Sequence, residues 1–308
     1  MLKVSLINVS KGYTENLIFQ ALKLLIDVEI TDPKNAELII KGPYREKNKF
    51  KRLKNKLISK KAIVLFDSAE NTRHLDTRAD FYITHDLGVT SEQHIRVPHW
   101  YNVIDWRNQG LPILGETKRF GRPISIDELT NPRSYDQFQS RENRAIIFAS
   151  HLREPRKTLL DEVGKYLPID GYGIAFDTTI RDHNESGFFK NNILKKYRYN
   201  VCPENSLGPG YYTEKVVEAY AAGCIPIYWC DQNCSIDFNK NSFINSYDYV
   251  NIRGYDLSIL NKKQRLKSMY IQPLIIDTPK LDSIFKFLEK LIMACKNQHR
   301  TKFSDPKA

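Results

Sequence analysis

The sequence predicts an α/β protein made of two successive open units, each a parallel sheet with helices on its faces. Three observations lead there. A chain of 308 residues is long enough for about two domains, each with its own core. Short apolar runs alternate along it with segments of helical period, the mark of strand–helix–strand units. That alternation fades once, between about 111 and 143, where Pro, Gly and polar residues dominate. With 41% hydrophobic and 27% charged residues the composition is that of a folded protein, which excludes disorder and collagen.

KVSLINV (3–9) reads as a strand, ENLIFQALKLLI (15–26) as a helix and AELIIKG (36–42) as a strand. KAIVLF (61–66), FYITHD (81–86) and IRVPHW (95–100) read as further strands. A second block follows the polar stretch. RAIIFAS (144–150) is a strand, TLLDEVGKYL (158–167) a helix, IDGYG (169–173) a short strand, NNILKKY (191–197) a helix and YNVCPEN (199–205) a strand. EKVVEAYAA (214–222) is a helix closed by Gly223, CIPIYW (224–229) a strand, and LDSIFKFLEKLIMACKN (281–297) an amphipathic terminal helix. The expected boundaries are 1–120 for the first domain, 121–143 for a linker, and 144–308 for the second domain with the terminal helix. Ligands of such units sit at the carboxyl ends of strands.

The formal net charge is +11, and ten Lys/Arg against the single acid Glu46 between Lys41 and Lys61 supply most of it. Phe50, Leu53 and Leu57 recur there at helical spacing, so the stretch reads as a basic amphipathic helix. A solvated helix face explains it; so does attraction of residues 41–61 to an anionic membrane or a phosphate-bearing acceptor. Nucleic acid is not expected as a partner, because no aromatic single-strand platform or DNA-binding module accompanies the charge. No apolar run approaches the ~18 residues of a spanning helix, and MLKVSLINVS lacks the apolar stretch of a signal peptide. Five cysteines, an odd number, fit a reducing compartment. The expected location is cytoplasmic, with peripheral contact at the inner face of the membrane.

The residues that carry chemistry are concentrated in CPENSLGPGYYTEKVVEAYAAGCIPIYW (202–229). Thr213 is a good N-cap residue before the 214–222 helix. Lys215 in the first turn opposes the helix dipole unless an anion lies between them, and a diphosphate would be such an anion. The SLGPG loop lets backbone approach closely, and Glu214 is placed to accept from ribose hydroxyls. An ordinary capped helix with a surface lysine fits the same residues.

The segment resembles the signature of the α-1,3/4-fucosyltransferases, glycosyltransferase family 10: ENS, a short glycine-containing loop, Tyr211, TEK, a helix and the IPIYW strand. SIDFNKNSFINSYDY (235–249) continues the likeness. Pro203 stands where an aromatic is common, and CDQN follows Trp229 in place of the usual Gly-x-Pro. FDSAENTRHLDTRADFYITHDLGVTSEQHIRVPHWY (66–101) is similar to the GEN segment of bacterial members, with Thr72, Arg73 and His74 in place of Glu-Ser-Pro. IIFASHLREPRKTLLDEV (146–163) is similar to the family's strand–loop–helix that supplies an arginine to the donor phosphates. Arg156 takes that place, with Arg153 as the competing choice.

The resemblance implies two Rossmann-like domains in the B-type glycosyltransferase architecture (GT-B), the first binding acceptor and the second GDP-fucose. It implies inverting transfer of fucose to a hydroxyl of N-acetylglucosamine in a glycan such as a lipopolysaccharide or capsule repeat. Glu70 is then the general base, and Arg156 and Lys215 stabilise the departing GDP. Asn205, Tyr211 and Glu214 line the nucleotide. His99, Trp100 and Tyr101 are candidate acceptor contacts; Trp100, Tyr101 and Trp106 fit sugar stacking and core packing equally. His85, His94 and His151 occur singly and read as structural or acceptor-contacting histidines.

No Asp-x-Asp pair and no metal cage is evident, and Cys230 and Cys234 have no second Cys/His pair nearby in sequence. The expectation is that no metal cofactor is required and that Mn2+ or Mg2+ stimulates at most. Two alternatives stay open: the same fold and GDP site transferring another GDP-linked sugar, and a non-catalytic glycan- or nucleotide-binding module.

Overall fold

The computed structural model describes residues 1–44, 50, 62–68, 78–176 and 190–300. The Glu70 position and nearly all of the expected basic helix, including Lys47, Lys51 and Lys54, lie outside the described residues. Two compact units emerge: residues 1–99, 106–115 and 280–308 form one, residues 100–105 and 116–279 the other.

The first unit is built on a six-stranded sheet. Its strands are β1 (Leu2–Ile7), β2 (Val28–Ile30), β3 (Leu38–Lys41), β4 (Ile63–Asp67), β5 (Phe81–Thr84) and β6 (His94–Arg96), all parallel, in the order β2-β1-β3-β4-β5-β6. The central strand β3 buries Leu38, Ile39 and Ile40 together, as expected of a parallel strand covered on both faces. Helix α1 (Leu17–Leu25) starts where the Asn16 side chain accepts from the Phe19 N–H at 2.8 Å, and it buries Leu17, Ile18, Phe19, Ala21 and Leu22. β6 ends at Arg96, so the expected strand 95–100 is cut short. Pro98 lacks the N–H a further rung would need, and His99–Val103 wind instead into a 3₁₀ turn.

The terminal helix Asp282–Arg300 also belongs to this unit, which corrects its expected assignment to the second domain. It packs on α1; Phe287 meets Phe81 edge to face at 5.7 Å, and Lys290 pairs with Glu92 at 2.8 Å. Its apolar stripe announced a buried face without saying which sheet would bury it.

The second unit carries five parallel strands, β7 (Glu142–Phe148), β8 (Ile169–Tyr172), β9 (Tyr197–Val201), β10 (Ile225–Tyr228) and β11 (Ile244–Asn245), in the order β11-β10-β9-β7-β8. β12 (Val250–Asn251) and β13 (Gly254–Tyr255) form a separate antiparallel pair. The expected linker 121–143 is part of this unit. It contains helices Ile126–Thr130 and Tyr135–Gln139, the former opened by a capping box between Ser125 and Glu128. Helices α2 (Arg156–Val163), α3 (Lys190–Leu194) and α4 (Glu214–Ala221) make the crossovers. Leu159 and Val163 of α2 join Ala145 and Ile147 of β7, Tyr199 and Val201 of β9, and Ile225 and Ile227 of β10 in one core.

Topology places the site. From β7 the chain crosses through α2 to β8 on one side; from β9 it crosses through α4 to β10 on the other. The two loops that leave the adjacent strands β7 and β9 therefore diverge at a switch point, where open α/β sheets accept ligands.

Candidate active site

The loop after β7 carries His151 and leads into Arg156, the first residue of α2. The loop after β9 carries Glu204 and Asn205, and α4 begins at Glu214 and Lys215. These residues meet. Arg156, only 7% exposed, donates from Nη2 to the Asn205 Oδ1 at 2.7 Å and from Nη1 to a ring nitrogen of His151 at 2.7 Å. Lys215 donates to the same Asn205 oxygen at 3.3 Å. Arg153, the competing choice, is exposed, whereas Arg156 is the arginine that meets Asn205.

Lys215 has its anion within the protein. Its ammonium donates to Glu204 Oε2 at 2.7 Å, and Glu204 is 1% exposed. The other Glu204 oxygen accepts from the Thr213 backbone N–H at 2.8 Å, the Thr213 hydroxyl at 2.8 Å and the Tyr228 hydroxyl at 2.6 Å. This corrects two expectations. Thr213 stands at the N-cap position of α4 without capping it, because its hydroxyl is turned to Glu204. The conflict between Lys215 and the helix dipole is relieved by a buried carboxylate before any ligand arrives. Glu204 went unassigned although ENS was singled out; the usable signal was an acid next to Asn205 combined with a lysine that needed a counter-charge.

Glu214 is partly exposed and faces Arg119 at 3.7 Å. Burial pushes its carboxyl upward, but Lys215, Arg119 and Lys190 outweigh burial and hold it at about 2. Lys190 is itself paired with the buried Glu218 on the next turn of α4. Desolvation lowers the Arg156 guanidinium from its usual value, with Glu204 acting against it. Desolvation, then Arg156, Arg153 and Lys215, hold the His151 imidazole below its ordinary value. Tyr211 is buried at the end of the SLGPG loop, where Gly210 takes a φ of 88° that a side chain would strain. Two cations, a neutral imidazole and an amide at a sheet switch point suit a phosphate-bearing ligand.

The candidate acceptor residues fare differently. Trp100 is 2% exposed, donates to Asp237 at 3.2 Å and packs on Tyr101 and Phe238, so it is a core residue and not a stacking platform. Trp106 is 1% exposed and likewise core. His99 lies 3.2 Å from His85 through ring nitrogens, and Tyr101 is half-buried against Trp100. Cys230 and Cys234 are both buried, and burial drives the Cys230 thiol well above its usual value. Among the described residues, no three His, Cys, Asp or Glu side chains group to hold a metal ion, and no helix is long and apolar enough to cross a membrane.

A groove at the other end of the same sheet is structural. There Arg133 is sandwiched between Tyr220 at 3.7 Å and Tyr270 at 4.0 Å and donates to the carbonyls of Tyr220, Cys224 and Tyr270. It thereby caps the carboxyl end of α4, where a cation complements the dipole.

Residues 138–272 match the model of the glycosyltransferase family 10 (fucosyltransferase) C-terminal domain. Over 108 residues the chain is 37% identical to an α-(1,3)-fucosyltransferase of Helicobacter pylori, a match covering 35% of this chain and 22% of that protein. Over 127 residues it is 28% identical to α-(1,3)-fucosyltransferase B of Drosophila melanogaster, covering 37% of this chain and 28% of the other. The matches thus span less than a third of these relatives' lengths. The crystal structure of an α1,3-fucosyltransferase with GDP-fucose superposes with a TM-score of 0.66 at 19% identity, covering 94% of this chain and 90% of that one. Another crystal structure of an α1,3-fucosyltransferase gives a TM-score of 0.67 at 19% identity, covering 95% of this chain and 90% of that one. The fold is therefore the B-type glycosyltransferase fold, with two Rossmann-like units.

Proposed function

We propose that this chain, whose residues 138–272 match the carboxyl-terminal domain of glycosyltransferase family 10, is a GDP-fucose-dependent α-1,3-fucosyltransferase acting on N-acetylglucosamine in a glycan. The observation that carries the reading is the convergence of Arg156 and Lys215 on Asn205 at the switch point of the second unit. The relatives named above support fucose as the sugar and a glycan as acceptor.

In the proposed reaction Glu70 takes the proton of the acceptor hydroxyl as its oxygen attacks the anomeric carbon from the face opposite the phosphate. The bond from that carbon to the β-phosphate oxygen breaks, GDP leaves with the electron pair, and the β-linked donor becomes an α-linked product. Arg156 and Lys215 stabilise the charge that develops on the leaving diphosphate, and Glu214 accepts from the ribose. Metal is not required in this scheme, and no step passes through one; added Mn2+ or Mg2+ is at most stimulatory.

The test is incubation of the purified chain with GDP-fucose and N-acetyllactosamine in EDTA, with the product followed by mass. A gain of one fucose that Glu70→Ala abolishes, while GDP is still bound, is the expected result. Turnover only from another GDP-sugar would move the reading to that donor, and binding without turnover from any donor would make the chain a binding module.

The location proposed is cytoplasmic, with residues 41–61 touching the inner face of the membrane. Neutralising Lys47, Lys51 and Lys54 should then reduce binding to anionic liposomes and spare transfer to a soluble disaccharide. Unchanged liposome binding would remove the membrane contact.

A further inference from the structure

Glu204 holds together three pieces of the second unit: the loop after β9, the start of α4 and the end of β10. It sits in the loop after β9, and its own N–H donates to the Trp229 carbonyl at 3.1 Å, tying that loop to the chain just past β10. Its carboxylate then accepts from the first residues of α4, through Thr213 and Lys215, and from Tyr228 at the end of β10. All these partners are donors, so the group works purely as an acceptor, and at 1% exposure water makes no substitute for any of them.

The consequences differ between partners. Thr213 and Tyr228 are buried and hold position by packing as well as by hydrogen bonds. Burial, and next the Glu204 charge, push the Tyr228 phenol well above its usual value, so it stays a donor. Lys215 is a flexible stem whose side chain is 19% exposed, and of its two described hydrogen-bond partners Glu204 is the charged one. An ammonium on four rotatable carbons is placed only by what it binds. Glu204 draws Lys215 back against the start of α4, where its second contact, at 3.3 Å, is the Asn205 oxygen that also receives Arg156 at 2.7 Å.

We propose that Glu204 is the positioning residue of the anion site: its carboxylate fixes the Lys215 ammonium beside Arg156 before donor binds, so that the diphosphate meets a preformed pair of cations. Its part is played through Lys215 and not by contact with the reacting atoms. The inference rests on the reading of this site as the place where GDP binds. The geometry also implies a division of labour. Glu204 offsets one of the two positive charges in the free protein, which keeps Arg156 and Lys215 from repelling one another at close range and so lets both be in place when donor arrives.

Glu204→Gln is nearly the same size, yet it replaces one acceptor oxygen by an NH2 group that faces donors, so the cluster cannot be satisfied as before. The decisive experiment is a double-mutant cycle with Lys215→Ala, read by GDP titration calorimetry and by thermal unfolding. Glu204→Gln alone is expected to weaken GDP binding about tenfold or more, and in the Lys215→Ala background the same change is expected to shift GDP affinity less than about twofold. Glu204→Asp, which keeps the charge on a shorter arm, is expected to recover part of the loss. Equal losses in both backgrounds would show that Glu204 supports the fold alone and would overturn the proposal, as would GDP affinity unchanged in Glu204→Gln.

A second readout stands apart from nucleotide binding. In GDP-free protein, acylation of Lys215 by an amine-reactive ester, followed by peptide mass analysis, should proceed severalfold faster in Glu204→Gln than in the parent. An equal rate would overturn the placement of Lys215 by Glu204. A parent protein that binds no GDP yet shows the rate difference would refute the GDP reading of the site while leaving the positioning role in place.

Discussion

The two units answer the same electrostatic problem in opposite ways. Each holds a carboxyl group that its surroundings move far from the ordinary carboxylate range. In the first unit Asp67, the last residue of β4, is 7% exposed and accepts from the Tyr13 hydroxyl. Burial pushes its carboxyl up to about 7, and the Tyr13 hydrogen bond recovers only part of that. In the second unit the partly exposed Glu214, in the first turn of α4, faces Lys215, Arg119 and Lys190, and these outweigh its desolvation and hold it at about 2. The switch points themselves also differ. Between β1 and β3 a Cβ on Gly42 would come within 2.5 Å of the Asn8 carbonyl, so backbone fills that place. Between β7 and β9 the same topological position is lined by Arg156, Asn205 and Lys215. Burial without a counter-charge favours the protonated carboxyl, whereas a carboxyl set among cations keeps its negative charge.

Asp67 gives the largest expected effect. A carboxyl whose folded value is raised above its unfolded one contributes stability that is fully present below about 4 and is lost as pH rises through about 7. The interval corresponds to about 4 kcal/mol. Asp67→Asn cannot titrate, and its carbonyl can still accept from Tyr13. Urea unfolding of parent and variant between pH 4 and pH 8 should therefore show the parent losing about 3–4 kcal/mol more than the variant over that range. Parallel pH curves would mean that Asp67 ionises without penalty, and the contrast between the two units would disappear.

The same contrast marks what could be read in advance. Strands announced themselves because parallel strands are apolar on both faces, as in LIIK and IPIY, and the α/β class followed. Arg156, Asn205 and Lys215 come together as the motif resemblance implied, since a switch point gathers loops from adjacent strands. What escaped depended on contacts and burial that the local pattern does not specify. The terminal helix shows an apolar stripe whichever sheet it covers. Trp100 was legible as an aromatic, whereas its burial comes from Phe238, more than a hundred residues onward. Glu204 looked like one letter of a motif because its four donors come from Thr213, Lys215 and Tyr228. Asp67 carried no sequence mark of its protonation, which is set by burial. Glu70 and the 41–61 stretch lie outside the described residues, so their expected roles rest on sequence alone.

The smallest effect tests the other half of the contrast. Glu214 has a depressed value, so its stabilisation is present above about 4.5 and is lost as pH falls through about 2, the reverse of the Asp67 window. Lys215 is the foremost of the cations responsible and Arg119 the next. Arg119 is 58% exposed at 3.7 Å, so solvent screens it. Arg119→Ala should cost on the order of 0.5 kcal/mol at neutral pH, about half of that at pH 2 and nothing well below it, with the acid limb of unfolding moved by a few tenths of a pH unit toward neutrality. High salt should remove the difference, since an exposed pair is screened within a Debye length of about 10 Å at 0.1 M. A loss of several kcal/mol that survives 1 M salt would show instead that Arg119 is held as tightly as the buried cations. The anion site would then extend outward along α4 to include it.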